Sequence, residues 1–356
     1  MKLTELDKNF QTLIPDEQGF VYRDVLSGTF ALEGLPWHTS NKETYYRFPE
    51  RLTEKEVNRG ALELAHNTSG ACIRFKTNST EIILKAELAW DLGLKHNVGR
   101  RGFDSYIRHP DGTLTFHRLV RPGPQDDSVI GSCAQNPSGV MREYWINLPP
   151  YGGVTKIEIG LKAEAQLEAP PPHAIPKPIL FYGSSITQGG CASRPGSTYT
   201  SMLCRALDAE QINLGFSGCG RGEPAVAEAI AELDLAAFVL DYDHNAPTAE
   251  HLEATHSNFF KIIRAKHPEL PIIMISRCDF YASEESILQR REIIRKTYTD
   301  ALNAGDKNVY FIDGEILWGT EMRDACTWDG CHPNDLGFYR MYERILPVLK
   351  QALSIK

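Results

Sequence analysis

Residues 328–334 have the sequence WDGCHPN, which places Asp329 three residues before His332 on one predicted loop. An aspartate at this spacing can accept the Nδ1 proton of the histidine, fix its tautomer and leave Nε2 free to deprotonate a serine. A metal site is the competing interpretation, because Cys326, Asp329, Cys331 and His332 cluster in the sequence. No second histidine or Cys-x-x-Cys pair completes a ligand set there, so we expect no metal and no other cofactor.

A candidate nucleophile follows the apolar run ILFY at residues 179–182. Gly183 would allow a sharp exit from a strand, and a hydroxyl at Ser184 or Ser185 would then stand at the top of a sheet. The alternative is that such a serine only caps the next helix. The glycine-rich segment 183–190 lacks the lysine of a nucleotide-binding P-loop, so phosphate binding is not expected.

Two further segments carry groups that could stabilise an oxyanion. Residues 213–218, NLGFSG, contain two glycines whose backbone N–H groups can face a substrate, although a tight turn would also use them. Residues 241–245, DYDHN, form a polar cluster at the end of an apolar run, and Asn245 offers a side-chain amide. For Asp243 and His244, helix capping before Thr248 is an equal alternative.

The elements that would position these residues form an alternating pattern in the second half of the chain. Apolar runs typical of buried strands occur at residues 179–183, 211–215, 236–242, 271–276 and 309–313. Helical stretches are predicted to begin near Ser197, Glu223, Thr248, Ser283 and Asn334. This alternation predicts a three-layer α/β domain with a parallel sheet, in which ligands collect at the carboxyl ends of the strands.

The first half has a different pattern, with short alternating runs and turn signals. Residues 71–77 and 80–88 flank the Asn78-Ser79 turn signal and predict a β-hairpin. Further runs at residues 105–110, 113–120, 142–148 and 155–163 predict an antiparallel β-sandwich. The proline-rich tract 168–178 should hold neither a helix nor a central strand. It therefore marks a boundary between an N-terminal domain, residues 1–172, and a C-terminal domain, residues 173–356.

Composition excludes several classes of protein. The net charge of −8 argues against a nucleic-acid partner, and no apolar run approaches the length of a membrane span. The N-terminal 18 residues are polar and lack the apolar core of a secretory signal. We therefore expect a cytoplasmic protein, or a secreted one if a signal has been removed. The eight cysteines show no framework pattern and are expected to be mostly reduced thiols.

Taken in order, these blocks resemble those of the SGNH (GDSL-like) hydrolases, which are serine esterases. The matching elements are G-[DS]-S-I-T-x-G at residues 183–189, N-x-G-x-S-G at residues 213–218, an asparagine after the third strand and D-x-x-H-P at residues 329–333. The resemblance covers residues 178–356. It departs from the pattern at Ser184, where aspartate is usual, and at Ala246, where aspartate is common.

The resemblance implies a flavodoxin-like fold for this half and a role for each matching residue. Ser185 corresponds to the nucleophile, and Asp329 and His332 to the acid and base of the triad. The oxyanion hole would consist of the Ser185 and Gly218 amides and the Asn245 side chain.

Gly102-Phe103-Asp104-Ser105-Tyr106 resembles the GxDLY motif of the jelly-roll-like sandwich domains that precede some SGNH esterases, with Ser105 in place of leucine. In that arrangement Arg101, Asp104 and Tyr106 could line the substrate pocket, or could only support the domain interface. Trp328, beside the triad aspartate, and Asp243 are further candidates for substrate binding.

The expected function is hydrolysis of short acyl esters, chiefly acetyl groups on a carbohydrate, through an acyl-Ser185 intermediate. The substrate would be a small-molecule or carbohydrate ester, with no nucleic acid or membrane partner. An O-acyltransferase would use the same triad, and a catalytically inactive carbohydrate-binding protein is a third hypothesis. The oligomeric state is left open by the sequence.

Overall fold

The structure is a computed structural model that describes residues 14–42, 44–91, 97–279, 281 and 284–355. The predicted polar N-terminal segment lies mostly outside these residues, as does Ser283. The first half of the chain is mainly strands. In chain order its elements are β1 (Phe20–Asp24), β2 (Ala31–Glu33), α1 (Arg59–Leu64), β3 (Cys72–Thr77), β4 (Glu81–Asp91), α2 (Asn97–Arg101), β5 (Phe103–Arg108), β6 (Leu114–Val120), β7 (Ser128–Gln135), β8 (Arg142–Asn147), β9 (Gly152–Lys162) and β10 (Leu167–Glu168).

These strands form two antiparallel sheets that face each other. One sheet has the order β1-β9-β4-β7, and the other has the order β10-β3-β8-β5-β6 with β2 beside β3. In β4, Ile82, Leu84 and Ala86 are buried in the core, whereas Lys85 is exposed. This alternation is expected for a strand with one solvated face. Ile73 and Phe75 of β3 enter the same core from the opposite sheet. The predicted antiparallel sandwich is confirmed.

The hairpin predicted at Asn78-Ser79 is wrong. Strand β3 pairs with β8, β10 and β2, whereas β4 pairs with β7 and β9 in the other sheet. The turn is a corner between sheets, in which the Ser79 N–H donates to Thr77 Oγ1 at 3.1 Å and the Ser79 hydroxyl donates to Glu81 O at 2.5 Å. Local turn signals show that the chain reverses, but the sheet that the next strand joins depends on distant partners.

The second half alternates strands and helices, as predicted. Its elements are β11 (Ile175–Gly183), α3 (Ser185–Gln188), α4 (Tyr199–Leu207), β12 (Ala209–Gly215), α5 (Pro224–Ile230), β13 (Ala237–Asp241), α6 (Ala249–Lys266), β14 (Ile272–Ile275), α7 (Glu285–Asn303), β15 (Val309–Ile312) and α8 (Asp335–Ala352). The strands form a parallel sheet with the order β12-β11-β13-β14-β15. The three-layer α/β architecture is therefore confirmed.

Alternate residues of the central strand β11 enter cores on opposite faces of the sheet. Leu180 and Tyr182 pack with α5, α6 and α7, while Ile179 and Phe181 pack with α4 and α8. Both faces are covered, which explains why the strands read as continuous apolar runs. None of the helices in the described part of the chain has the length and apolarity that crossing a bilayer requires.

The proline-rich tract enters a central strand, contrary to the prediction. Strand β11 begins at Ile175 and includes Pro176 and Pro178, and it lies between β12 and β13. The pairing with β12 is irregular between Ile175 and Ile179, and the pairing with β13 starts only at Ile179. The prolines thus occupy the part of the strand where regular ladder hydrogen bonds are missing.

Part of the first half packs onto the parallel sheet rather than into the sandwich. Phe48, Val57 and Leu64 share a core with Leu214 and Phe216, and the Phe48 and Phe216 rings are stacked with their centroids 4.5 Å apart. This segment, which precedes the sandwich strand β3, therefore covers the end of β12. The two halves of the chain therefore share one hydrophobic core.

Candidate active site

The nucleophile candidate stands immediately after the central strand. Gly183 ends β11, and a side chain there would lie 2.1 Å from Thr187 Oγ1 and 2.4 Å from Asp241 O, so only glycine fits. Ser184 is the cap of the one-turn helix α3, since its hydroxyl accepts a hydrogen bond from the Ile186 N–H at 3.1 Å. The predicted capping role thus falls to Ser184. Ser185, the first residue of the helix, keeps its hydroxyl for other partners.

Ser185, His332 and Asp329 form a continuous chain of hydrogen bonds. Ser185 Oγ lies 2.8 Å from His332 Nε2, and His332 Nδ1 lies 2.7 Å from Asp329 Oδ2. Because the Asp329 carboxylate accepts the Nδ1 proton, Nε2 carries a lone pair that faces the serine hydroxyl. Ser185 and His332 are 147 positions apart in the sequence, and the structure brings them together in the geometry that activates a serine.

Several hydrogen bonds hold the Asp329 carboxylate and its loop. Burial of the carboxylate raises its pKa, but the backbone and side chain of His332 and the backbone of Cys331 donate to it, and these bonds lower the pKa to about 2. Asp329 Oδ1 accepts the His332 N–H at 2.7 Å and the Cys331 N–H at 3.0 Å. The group is therefore ionised throughout the ordinary pH range, as an acceptor for imidazolium must be.

The predicted oxyanion groups lie at the same edge of the sheet. Gly218 has a φ of +71° in the loop after β12, and the space beside its Cα is open. The side-chain amide of Asn245 donates to Phe216 O at 2.7 Å, which holds Asn245 against this loop and leaves its second amide hydrogen for another acceptor. The Ser185 N–H, at the first position of α3, has no acceptor within the helix.

Two of the predicted substrate-binding residues lie between the halves of the molecule. Asp104 is buried, and its Oδ2 accepts from Arg194 Nη1 at 2.6 Å and from the Gly196 N–H at 2.9 Å. The buried Tyr106 hydroxyl donates to Gly196 O at 3.3 Å. The geometry fits the alternative that this motif supports the interface, because both side chains are buried and bonded to residues 194–196 of the other half.

Arg101 and Asp243 are also engaged in structural contacts. The buried Arg101 donates to Pro124 O at 3.3 Å and to Asp126 O. Asp243 is buried, and its two oxygens accept from Arg290 Nε at 2.7 Å and from the Arg277 N–H at 3.1 Å. Both side chains are therefore buried and held by contacts within the protein.

Trp328 differs from the other substrate-binding candidates, because 75% of its surface is exposed beside Asp329.

The capping alternative for Asp243 and His244 does not hold, since Thr248 itself caps α6 by accepting from the His251 N–H at 3.2 Å.

Arg47 supports the oxyanion loop and was not identified from the sequence. Its guanidinium is fully buried and donates to four backbone carbonyls, at 2.7–2.9 Å, on Leu64, Asn67, Asn213 and Gly215. It also lies 4.5 Å from the centroid of the Phe216 ring. Burial lowers the pKa of Arg47 to about 9. In the sequence it is one arginine between aromatic residues, and nothing there indicates partners more than 160 positions away.

His244, Asp279 and Cys331 are the types of side chain that bind metals, and their ligand atoms lie within 4.8 Å of one another in the described structure. The Asp279 carboxylate is already paired with Arg277 Nη2 at 2.5 Å, so a cation there would meet a guanidinium. Burial raises the pKa of the Cys331 thiol to about 11, and its Sγ lies 3.5 Å from His244 Nδ1. The group therefore suits a neutral thiol-imidazole contact that supports the triad loop better than it suits a metal.

A parallel α/β sheet with a serine, histidine and aspartate joined at its carboxyl edge defines a serine hydrolase, and comparisons with known proteins identify the family. The model of the GDSL-like lipase/acylhydrolase family matches residues 176–350, and the GxDLY model, described as the N-terminus of SGNH-hydrolase-type esterases, matches residues 20–167. A GDSL-like lipase from Bacteroides ovatus ATCC 8483 has 31% identity and a TM-score of 0.84, over 95% of this chain and 99% of that chain. The chain belongs to the GDSL-like lipase/acylhydrolase, or SGNH hydrolase, family.

More distant structures share the fold. The salicylyl-acyltransferase SsfX3 from a tetracycline biosynthetic pathway is 20% identical with a TM-score of 0.75, over 96% of this chain and 99% of that chain. A family two carbohydrate esterase from Clostridium thermocellum, in complex with cellohexaose, is 14% identical with a TM-score of 0.61, over 80% and 93% of the respective chains. No curated protein matched the sequence.

Proposed function

We propose that this acylhydrolase cleaves short acyl esters, chiefly acetyl groups on carbohydrates, through an acyl-Ser185 intermediate. The observation that carries the proposal is the hydrogen-bond chain from Ser185 to His332 to Asp329, with contacts of 2.8 and 2.7 Å. The same chain argues against an inactive binding protein, because a scaffold without catalysis has no need for a serine held on a histidine.

In the proposed reaction, His332 Nε2 takes the hydroxyl proton as Ser185 Oγ bonds to the ester carbonyl carbon. The carbonyl oxygen becomes an oxyanion, stabilised by the N–H groups of Ser185 and Gly218 and by the Asn245 amide. The carbon–oxygen bond to the alcohol then breaks, and His332 returns the proton to that alcohol. Water repeats the sequence on the acyl-serine, which releases the carboxylic acid and restores the serine hydroxyl. Removal of a single oxyanion donor is expected to lower kcat about 100- to 1,000-fold.

The surroundings of the serine favour a small acyl group. A side chain at Gly190 would lie 2.9 Å from the Tyr151 hydroxyl and 3.5 Å from His332 Cδ2. The Gly190 backbone therefore packs beside the histidine ring, and we propose that it limits the length of the acyl group on this side.

Exposed aromatic rings near the triad favour a carbohydrate as the alcohol. Trp328 is 75% exposed, and Tyr281, which is 53% exposed, lies against Gly330 of the same loop. These two rings could form a binding surface for the alcohol part of the ester, since flat apolar rings can pack against the faces of sugars. The fold shared with the carbohydrate esterase from Clostridium thermocellum supports this proposal by analogy.

An O-acyltransferase is the second candidate, because the fold is also shared with the salicylyl-acyltransferase SsfX3. Both reactions pass through the same acyl-serine and differ in whether water or an alcohol accepts the acyl group. Product analysis with and without an added acceptor alcohol distinguishes them. A transferase would form a new ester at an alcohol concentration at which a hydrolase would still release only the carboxylic acid.

The proposal is tested by the hydrolysis of p-nitrophenyl acetate, butyrate and octanoate, together with acetylated xylo-oligosaccharides. We expect kcat/KM to be at least about 10-fold higher for the acetate than for the octanoate, since about 1.4 kcal/mol of steric exclusion suffices for that ratio. We also expect acetate release from the oligosaccharides. Preference for the octanoate would contradict the short-chain assignment, and intact oligosaccharides would contradict the carbohydrate assignment.

A further inference from the structure

The nucleophile lies on a helix of one turn, Ser185–Gln188, whose last carbonyl groups need partners outside the helix. Several of these partners come from the sandwich half of the chain. The Tyr151 hydroxyl donates to Ser185 O at 3.1 Å, and the Ser69 hydroxyl donates to Gln188 O at 2.7 Å. Ser185 O also accepts the N–H groups of Gly189, at 3.1 Å, and of Gly190, at 2.7 Å. The carbonyl of the nucleophile itself is thus bound by a residue of the other half.

Tyr151 also reaches the oxyanion loop. Its side chain is buried, and the polar Ser217 side chain, directly before Gly218, lies close enough to lower the pKa of the phenol. Burial raises the pKa of the phenol, so it remains protonated and can donate to Ser185 O. Tyr151 therefore binds the nucleophile turn and lies beside the loop that carries an oxyanion donor.

Gln188 makes a parallel connection at the end of the same helix. Its Oε1 accepts the Ser217 N–H at 2.8 Å, and its Nε2 donates to Asn67 Oδ1 at 3.1 Å and to Pro150 O at 3.0 Å. Asn67 and Pro150, like Tyr151, belong to the first half of the chain. The sandwich half therefore encloses the base of the nucleophile turn.

We propose that Tyr151 is a positioning residue that fixes Ser185 relative to the oxyanion loop, which makes the β-sandwich half a structural part of the active site. The inference rests on the esterase function proposed above. Tyr151 touches the backbone of the nucleophile and not the substrate, so its loss should change the reactivity of Ser185 and leave substrate binding unaltered. A detachable binding module would behave in the opposite way.

The test compares Tyr151→Phe, which removes only the hydroxyl, with Tyr144→Phe. Tyr144 is a matched control because it is a buried tyrosine in the core of the same sandwich. Three quantities are measured for each protein: kcat and KM with p-nitrophenyl acetate, the rate of Ser185 labelling by an organophosphonate, and the melting temperature. Ser69→Ala is a second, milder variant, for the case in which Tyr151→Phe does not fold.

We expect Tyr151→Phe to lower kcat and the labelling rate by about 10-fold each, as the loss of one buried hydrogen bond would. KM should stay within about two-fold of the wild-type value. Tyr144→Phe should keep both rates within about two-fold, and Ser69→Ala should lower both by about three-fold.

Unchanged rates in Tyr151→Phe, or equal losses in Tyr144→Phe, would overturn the positioning role. If Tyr151→Phe does not fold, unchanged rates in Ser69→Ala would overturn it. If the organophosphonate labels the wild type but the wild type hydrolyses no ester, only the proposed function is refuted. The ratio of the labelling rates of Tyr151→Phe and the wild type would still decide the role of Tyr151. A wild type that is not labelled would refute both.

Discussion

The buried Asp241 carboxyl group predicts that the stability of the protein depends on pH. The carboxyl group is buried beneath the nucleophile turn, where Oδ2 accepts hydrogen bonds from the Tyr199 hydroxyl at 3.0 Å and from Thr187 Oγ1 at 3.2 Å. Burial raises its pKa from 3.8 to about 7, and these two hydrogen bonds only partly oppose the increase. The folded protein therefore holds a proton that the unfolded chain has released at neutral pH.

The sign and size of the effect follow from proton linkage. Between about pH 4 and pH 7 the folded state binds more protons at Asp241 than the unfolded state, so the free energy of unfolding falls as the pH rises. A difference of about 3 pKa units at about 1.4 kcal/mol each gives a loss of about 4 kcal/mol. Asn is similar in shape to a neutral carboxyl group, and its oxygen can accept the same two hydrogen bonds. Asp241→Asn should therefore remove this pH dependence.

The assay is urea unfolding of the wild type and Asp241→Asn from about pH 4 to pH 8. It is followed by tryptophan fluorescence, to which Trp318 contributes from the core of the parallel half. We expect the variant to gain stability relative to the wild type as the pH rises, by about 4 kcal/mol in total and with no further gain above about pH 7. A difference between the two proteins that stays constant across this range would refute the reasoning.

Other predictions concern the triad, the interface and the substrate surface. Asp329→Asn should lower kcat by roughly 1,000- to 10,000-fold, because the amide no longer accepts the His332 Nδ1 proton. Steady-state kinetics measures this loss, and a much smaller loss would contradict the triad. The stability that the Asp329 carboxylate contributes should be present above about pH 4 and lost as the pH falls through about 2, which acid titration of unfolding would check. Asp104→Ala should lower the free energy of unfolding by about 3 kcal/mol, because it removes the partner of Arg194, and should leave KM for p-nitrophenyl acetate within about two-fold of the wild-type value. A large increase in KM would instead indicate that Asp104 contacts the substrate. Trp328→Ala should raise KM for acetylated oligosaccharides several-fold and leave p-nitrophenyl acetate hydrolysis unchanged, and equal effects on both substrates would contradict a sugar-binding surface.

The parallel half could be predicted from the sequence because its signals are local. Each chemical group directly follows an apolar run, as Ser185 follows β11 and Asn245 follows β13. Parallel topology brings the ends of such runs to one edge of the sheet, so strand order alone placed the candidate residues near one another. The Asp329–His332 pair is separated by only three residues, and its geometry depends on one loop.

The contacts between the halves could not be predicted in this way. Arg47 and Tyr151 act through backbone atoms 166 and 34 positions away, and a single polar residue in a sequence does not identify such partners. Asp104 was singled out by its motif, but only the burial of its carboxylate against Arg194 distinguishes an interface role from substrate binding. The corner at Asn78-Ser79 could not be predicted for the same reason, since the sheet that a strand joins depends on long-range pairing.

Mass spectrometry of the protein quenched during turnover of p-nitrophenyl acetate tests the central claim most directly. The account predicts an acetyl group on the peptide that contains Ser185, and neither the acetyl group nor turnover in Ser185→Ala. Turnover that survives in Ser185→Ala, or an acetyl group on another residue of the active enzyme, would contradict it.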